Sequence, residues 1–328
     1  MPGPFQLEIL DAHTHLSGPG SGETPENIVA CLDAANVAKA FVIAPLIKQG
    51  SWELEERHLD DVRRNNDYCA RVCASEPDRL LGFCVLNPSP GLGGGTFGRA
   101  VDLMIEEARR CRHELGLRGV KMVPSGWYPH DPHALRLYRE LARLDMYALF
   151  HSGIFLDGKE GTYCRPAYFE AVHQVPGFRG QLAHLGWPWV DECIAVLEME
   201  STIHGKQPER WQLLADLSFG PPDDWQLRSW QLALDTLPKE MLCYGSDVFW
   251  PSEPERYLEQ YLQPQLALFE VALTLGHQAG EGSPDRAQLR RRVFFENAWS
   301  HWTRAVPEGR SAPEREARAA SGRNGSPR

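Results

Sequence analysis

The chain has 328 residues, of which 42% are hydrophobic and 24% charged, and it carries a formal net charge of −10. The apolar share is enough for a sizeable core, while the acidic balance argues against nucleic acid, whose phosphates need a basic surface. No run of about 18 apolar residues is present, so no membrane span is expected. Residues 1–10 lack the basic-then-apolar pattern of a secretory signal. The eight cysteines form no CxxC pair and several lie in apolar runs. That is how small core residues behave in a reducing compartment, and the expected setting is cytoplasmic.

Taken in chain order, short apolar runs alternate with longer helical stretches. Strand candidates are 7–13, 38–45, 80–88, 117–124, 146–153, 180–186, 211–218 and 240–247. Near-continuous apolar runs of this length suit strands buried on both faces, as in parallel sheets. The intervening helices are expected at 25–36, 54–75, 97–115, 132–144, 166–175, 188–204, 223–236, 255–276 and 285–304. Thr24 caps the first of these, and Asp131 caps the fourth, with Pro132 at its first helical position. Eight β-then-α units imply right-handed crossovers and a closed (β/α)8 TIM-like barrel, α/β in class, distorted, in a single domain over residues 1–306. A doubly wound sheet is the structural alternative, but GLGGG follows the third strand and lacks the GxGxxG spacing. Residues 307–328 are small, charged and Pro/Gly-containing, and are expected to form a disordered tail.

In such a barrel the C-terminal strand ends converge on one mouth. The first run leads into Asp11-Ala12-His13-Thr14-His15, with two imidazoles on one side of an extended chain. The fifth ends in His151, the sixth in His184 and the eighth in Asp247. An isolated HxH is more often one packed and one solvated histidine. Four of the chain's twelve histidines and a carboxylate converging on one mouth suit Zn2+, and also Fe2+ or Mn2+. Metal-activated water is a nucleophile near neutral pH, and Asp247 can both bind metal and accept that water's proton.

Lys121 interrupts an apolar fourth strand, which is costly unless the amine is paired or faces a polar mouth. Three roles are open to it: pairing with a substrate carboxylate, carrying a carboxyl group that bridges two metals, or closing the barrel by an ion pair, for instance to Asp216. Trp127, Trp187, Trp189 and Trp250 follow strand ends, where they either pack or line a site for a flat substrate. Arg165 follows the fifth strand; a surface role is the simpler reading, substrate-carboxylate binding the other.

With these residues in place, the chain resembles the amidohydrolase superfamily, in its amidohydrolase-related (amidohydrolase-2) branch. The stretches that carry the resemblance are DAHTHL, LRGVKMVPSGWYPHDP, YALFHSGIF, LAHLGWPWVDE, LADLSFGPP, YGSDVFW and FFENAWSHW, spanning residues 11 to about 302. The resemblance implies that His13, His15, His151 and Asp247 hold one divalent ion, most simply Zn2+, or two ions if Lys121 is carboxylated. It implies that His184 acts beside the substrate or binds the second metal. The expected activity is hydrolysis of an amide, ester or lactone in a small organic molecule. Asp247 would deprotonate water and His184 would stabilise the oxyanion or protonate the leaving group. The alternative is non-oxidative decarboxylation of an aromatic or unsaturated acid, and a non-catalytic barrel scaffold is the remaining one. The expected partner is a small-molecule substrate, with no nucleic acid or membrane. A homodimer is compatible with a barrel of this size, although no motif specifies one.

Overall fold

The computed structural model describes residues 7–46, 58–155, 160–218, 222–276 and 286–304. The expected tail at 307–328 and the start of the second helix at 54–57 lie outside them. Strands β1 (Leu10–His15), β2 (Lys39–Ile43), β3 (Leu80–Val85), β4 (Gly119–Met122), β5 (Tyr147–Phe150), β6 (Arg179–Leu182), β7 (Leu213–Asp216), β8 (Leu242–Cys243) and β9 (Val248–Phe249) form one sheet. Its order is β8-β7-β6-β5-β4-β3-β2-β1-β9, and each pairing is parallel.

The eighth stave is split. β8 pairs with β7, whereas β9 pairs with β1. Between them Tyr244 O accepts from Ala12 N at 3.0 Å, and His13 O accepts from Asp247 N at 2.7 Å. One stretch, 242–249, therefore bonds to β7 on one side and β1 on the other, and the ring closes as a distorted (β/α)8 barrel. Two expectations need correction here. The first strand runs from 10 to 15 rather than 7 to 13, because its β2 and β9 partners extend to His15. The expected eighth strand at 240–247 is regular only at 242–243, and β9 was not expected.

Helices α1 (Pro25–Ala34), α2 (Leu59–Ala74), α3 (Phe97–His113), α4 (Pro132–Arg143), α5 (Val190–His204) and α6 (Asp223–Thr236) follow the expected positions. Thr24 Oγ1 accepts from Asn27 N at 3.2 Å and Asp131 Oδ1 from His133 N at 2.7 Å, so both caps act as the sequence implied. The helix expected at 166–175 is instead a 3-10 helix, Pro166–Gln174. The expected 255–276 helix is α7 (Pro254–Tyr257) and α8 (Gln263–Leu275) around a π turn, Leu258–Leu262. The last helix is likewise α9 (Arg286–Arg291) and α10 (Asn297–Thr303) around Arg292–Glu296.

The barrel interior is filled rather than hollow. Phe41 and Phe83 pack at 4.8 Å between ring centroids, with Tyr147 beside them. Gly119 leaves room for this, since a Cβ there would lie 2.2 Å from the Phe83 ring. Trp302 of α10 seals the N-terminal end, 5.0 Å from Phe41 and 5.5 Å from Phe83. Buried Arg179 at the start of β6 donates to the carbonyls of His301 and Arg304, holding that plug in place. Trp302→Ala is expected to cost about 3–5 kcal/mol. Urea unfolding measures it, and a loss below about 1 kcal/mol would show that the indole is not the plug.

Candidate metal centre

The opposite end of the barrel gathers the polar residues. β1 carries a register irregularity between Asp11 and Thr14, the kind of local kink that re-aims side chains beside active sites. His13 and His15 are both buried, with their Nε2 atoms 3.1 Å apart. Asp247 Oδ1 lies 2.9 Å from His15 Nε2 and 3.2 Å from His13 Nε2. Lys121 of β4, also buried, points inward and places Nζ 2.8 Å from His13 Nε2. Asp247 has φ 60° and His184 φ 59°, left-handed conformations that non-glycine residues adopt at a cost of about 1–3 kcal/mol each and that cluster at functional sites.

Behind this cluster lies Asp216, the last residue of β7 and fully buried. Its Oδ2 meets His13 Nδ1 at 3.1 Å and accepts from Gln181 Nε2 at 2.8 Å. Its Oδ1 accepts from His184 N at 2.9 Å, from Ser218 N at 3.2 Å and from Ser218 Oγ. Ser218 Oγ in turn sits 2.8 Å from His184 Nδ1. Because the serine proton goes to Asp216, Ser218 Oγ accepts from His184 Nδ1–H. The network therefore assigns the Nδ1–H tautomer to both His13 and His184, leaving each Nε2 lone pair aimed into the mouth.

Electrostatics point the same way. Burial pushes the His13 imidazole down to about 4, with the Lys121 ammonium adding to the shift and Asp247 and Asp216 opposing it. Burial likewise lowers His15, against the pull of Asp247. It lowers His151 well below its ordinary value, with His184 and Lys121 adding. Burial also brings the Lys121 amine down to about 8, against Asp247 and Asp216. Burial alone would raise Asp216 and Asp247, but His13 and the other donors outweigh it and hold both carboxyls below the usual range. Neutral imidazoles beside ionised carboxylates are the ligand forms a divalent cation needs.

Of the expected ligands, the structure brings His13, His15 and Asp247 together, with one ligand atom from each within 4.8 Å of the others. A second set of the same kind, His13, His184 and Asp216, overlaps it. Asp216 is already occupied by hydrogen bonds, so it orients the histidines. His151 belongs to neither set: its ring centroid is 5.1 Å from that of His184, and its Nε2 is buried without a hydrogen-bond partner. This orphaned nitrogen, together with the neutral imidazoles, fits a cation at the mouth. The ion pair considered for Lys121 with Asp216 is not made, because the Asp216 oxygens are taken and Nζ meets His13 instead. Trp127 and Trp250 are largely core, against Phe97 and Tyr257, while half-buried Trp187 meets Trp225. Arg165 pairs with Glu192 and lies over Trp189, as a surface residue does. Sequence reading missed Asp216 and Ser218 as organisers, although a charged residue in an apolar strand was the same signal that singled out Lys121.

A family model described as amidohydrolase matches residues 10–299. The chain belongs to the amidohydrolase family. Solved structures resemble this amidohydrolase in fold at low identity. One is a dihydroxybenzoic acid decarboxylase from Polaromonas sp. with bound manganese and the inhibitor 2-nitroresorcinol. It is 12% identical with a TM-score of 0.58, covering 90% of this chain and 97% of that one. Another is 5-carboxyvanillate decarboxylase from Sphingomonas paucimobilis, 14% identical with a TM-score of 0.55, covering 91% and 100%. A third is a probable 2-pyrone-4,6-dicarboxylic acid hydrolase from Acinetobacter baumannii with citric acid bound, 15% identical with a TM-score of 0.55, covering 90% and 98%. No curated protein sequence matches the chain. No helix among the described residues is long and apolar enough to cross a membrane.

The lowered histidines have a consequence for stability. Unfolded, His13 regains its ordinary value of 6.5, so the unfolded chain binds more protons than the folded one between 6.5 and about 4. Stability is full above that window and falls as pH drops through it, on the order of 3 kcal/mol for His13 alone. Urea unfolding of chelator-treated protein across this range reads the slope, and a flat profile would mean that the imidazole is not held neutral by burial.

Proposed function

We propose that this amidohydrolase-family protein is a metal-dependent, non-oxidative decarboxylase of an aromatic or unsaturated carboxylic acid. The observation that carries the reading is Lys121. Its amine is buried, points into the mouth and lies 2.8 Å from the nitrogen at the centre of the donor cluster. A buried cation in that position needs an anion, and a substrate carboxylate or phenolate supplies one. The fold's resemblance to a 5-carboxyvanillate decarboxylase and a dihydroxybenzoic acid decarboxylase supports the same class. The hydrolase reading keeps one supporting feature: Asp247 is 26% exposed, enough to take a proton from an attacking water.

His13, His15, His151 and Asp247 would hold the ion. The imidazole-rich set favours Zn2+, and the manganese of the Polaromonas neighbour makes Mn2+ the competitor. When bound, such a cation supplies Lewis acidity that stabilises negative charge on substrate oxygens. Lys121 Nζ anchors the acid and fixes its plane. The bond between the carboxyl carbon and its neighbour breaks, the electron pair stays on that neighbour, and CO2 leaves. His184 Nε2, whose lone pair faces the mouth, takes a proton from solvent and passes it to the vacated carbon. Ser218 and Asp216 hold the His184 ring in the orientation that this transfer needs.

Turnover of a hydroxybenzoate panel in D2O tests the reading. The expected result is CO2 release with one deuterium at the vacated carbon. Incorporation of oxygen from H2(18)O without CO2 would replace the decarboxylase by a hydrolase. Lys121→Met is expected to raise KM for the acid about tenfold or more, and His184→Asn to lower kcat by about 10²–10⁴.

A further inference from the structure

His13 and His184 have their second ring nitrogens tied to Asp216 and Ser218. His15 and His151 do not. The second nitrogen of His15, Nδ1, is buried and meets no hydrogen-bond partner, and the His151 ring, whose orphaned Nε2 is the nitrogen offered to the mouth, makes no hydrogen bond among the described residues. A ligating imidazole ordinarily donates its other N–H to a carboxylate or carbonyl, and that bond fixes the ring plane. Something else must hold these two.

Each lies flat against a phenyl ring. His151 stacks on Phe155 with centroids 4.3 Å apart and planes 14° from parallel. His15 stacks on Phe249 at 5.0 Å and 18°. No other ring pair among the described residues is as close to parallel; the next, Tyr244 with Phe294, stands at 22°. The barrel itself places Phe249, because it is the register partner of His15 in the β1–β9 pairing that closes the ring. Phe155 follows two residues after Gly153, whose φ of +120° and closeness to the Trp187 carbonyl leave no room for a side chain. Phe249 is 38% exposed, so its ring is poorly used as core.

We infer that Phe155 and Phe249 are positioning residues of the metal centre: ring stacking sets the imidazole planes of His151 and His15, where hydrogen bonds set those of His13 and His184. The inference rests on the metal-centre reading above. It divides the site into a half locked through Asp216 and a half locked by apolar contact, with the cation drawing ligands from both.

The test is metal affinity, read by competition with a chromophoric chelator for Zn2+ and for Mn2+, with no substrate present. Phe155→Leu and Phe249→Leu are each expected to weaken binding by about tenfold or more, as are the Met variants, which keep side-chain volume without a ring plane. Phe155→Tyr and Phe249→Tyr are expected to bind as wild type does. Melting temperatures of the metal-free variants are expected to stay near that of the wild type, which a general packing role would not allow. Leu and Met variants that bind metal with unchanged affinity overturn the inference, including the case where only KM for an acid substrate rises. Wild-type protein that takes up neither ion overturns the metal centre itself, and this inference with it.

Discussion

The hydrogen bond between Asp216 Oδ2 and His13 Nδ1, 3.1 Å long and fully buried, decides which nitrogen of His13 faces the barrel mouth. The rest of the site is arranged around it. A carboxylate stripped of water is stable only if its lone pairs are filled. Here Gln181, Ser218 and the backbone of His184 fill them, so that strands β1, β6 and β7 converge on one side chain. Gln181 also accepts from Tyr147 Oη at 3.1 Å, and Tyr147 packs under Trp302. The hydrogen-bonded network at the mouth thus continues into the aromatic packing that seals the other end.

Two features of the mouth are held against local preference. His184 and Leu185 turn left-handed immediately after β6, and Asp247 does so between β8 and β9. The His184 amide gains Asp216 Oδ1, and the Asp247 amide gains His13 O at 2.7 Å. The Asp247 turn is also what splits the eighth stave, since the chain must leave β7 and reach β1 around it. Gly245 permits this, because a Cβ there would come within 2.7 Å of His13 Cβ. Barrel distortion and site geometry share one cause. Asp247 and Lys121 then place an ionised carboxylate and a buried amine beside the same nitrogen, His13 Nε2.

Much of this was legible in the sequence because parallel strands buried on both faces leave apolar runs bounded by turns, and all eight staves left one. The first strand was misplaced since Leu7 and Ile9 continue the apolar pattern, whereas hydrogen bonding is decided by where β2 and β9 end. β9 is two residues long and exists only through its pairing with β1, so no local pattern marks it. Over nine residues, hydrophobic spacing cannot separate a 3-10 helix from an α-helix, which is why 166–175 was misread. His13, His15 and Asp247 were found because strand ends converge. The roles of Asp216 and Ser218 depend on contacts across 203 and 34 residues of chain, which no local pattern carries. Phe155 and Phe249 read as ordinary apolar residues until the rings of His151 and His15 are seen lying against them.

The proposed chemistry depends on a cation held at the mouth by imidazoles, of which Asp216 aims His13. Elemental analysis of protein purified without added metal or chelator, repeated with Asp216→Asn, tests that most directly. The expected result is about one divalent ion per chain in the wild type, and an affinity about 10–100-fold weaker in the variant. Wild-type protein free of metal before and after reconstitution, or a variant that binds as tightly as the wild type, would contradict it.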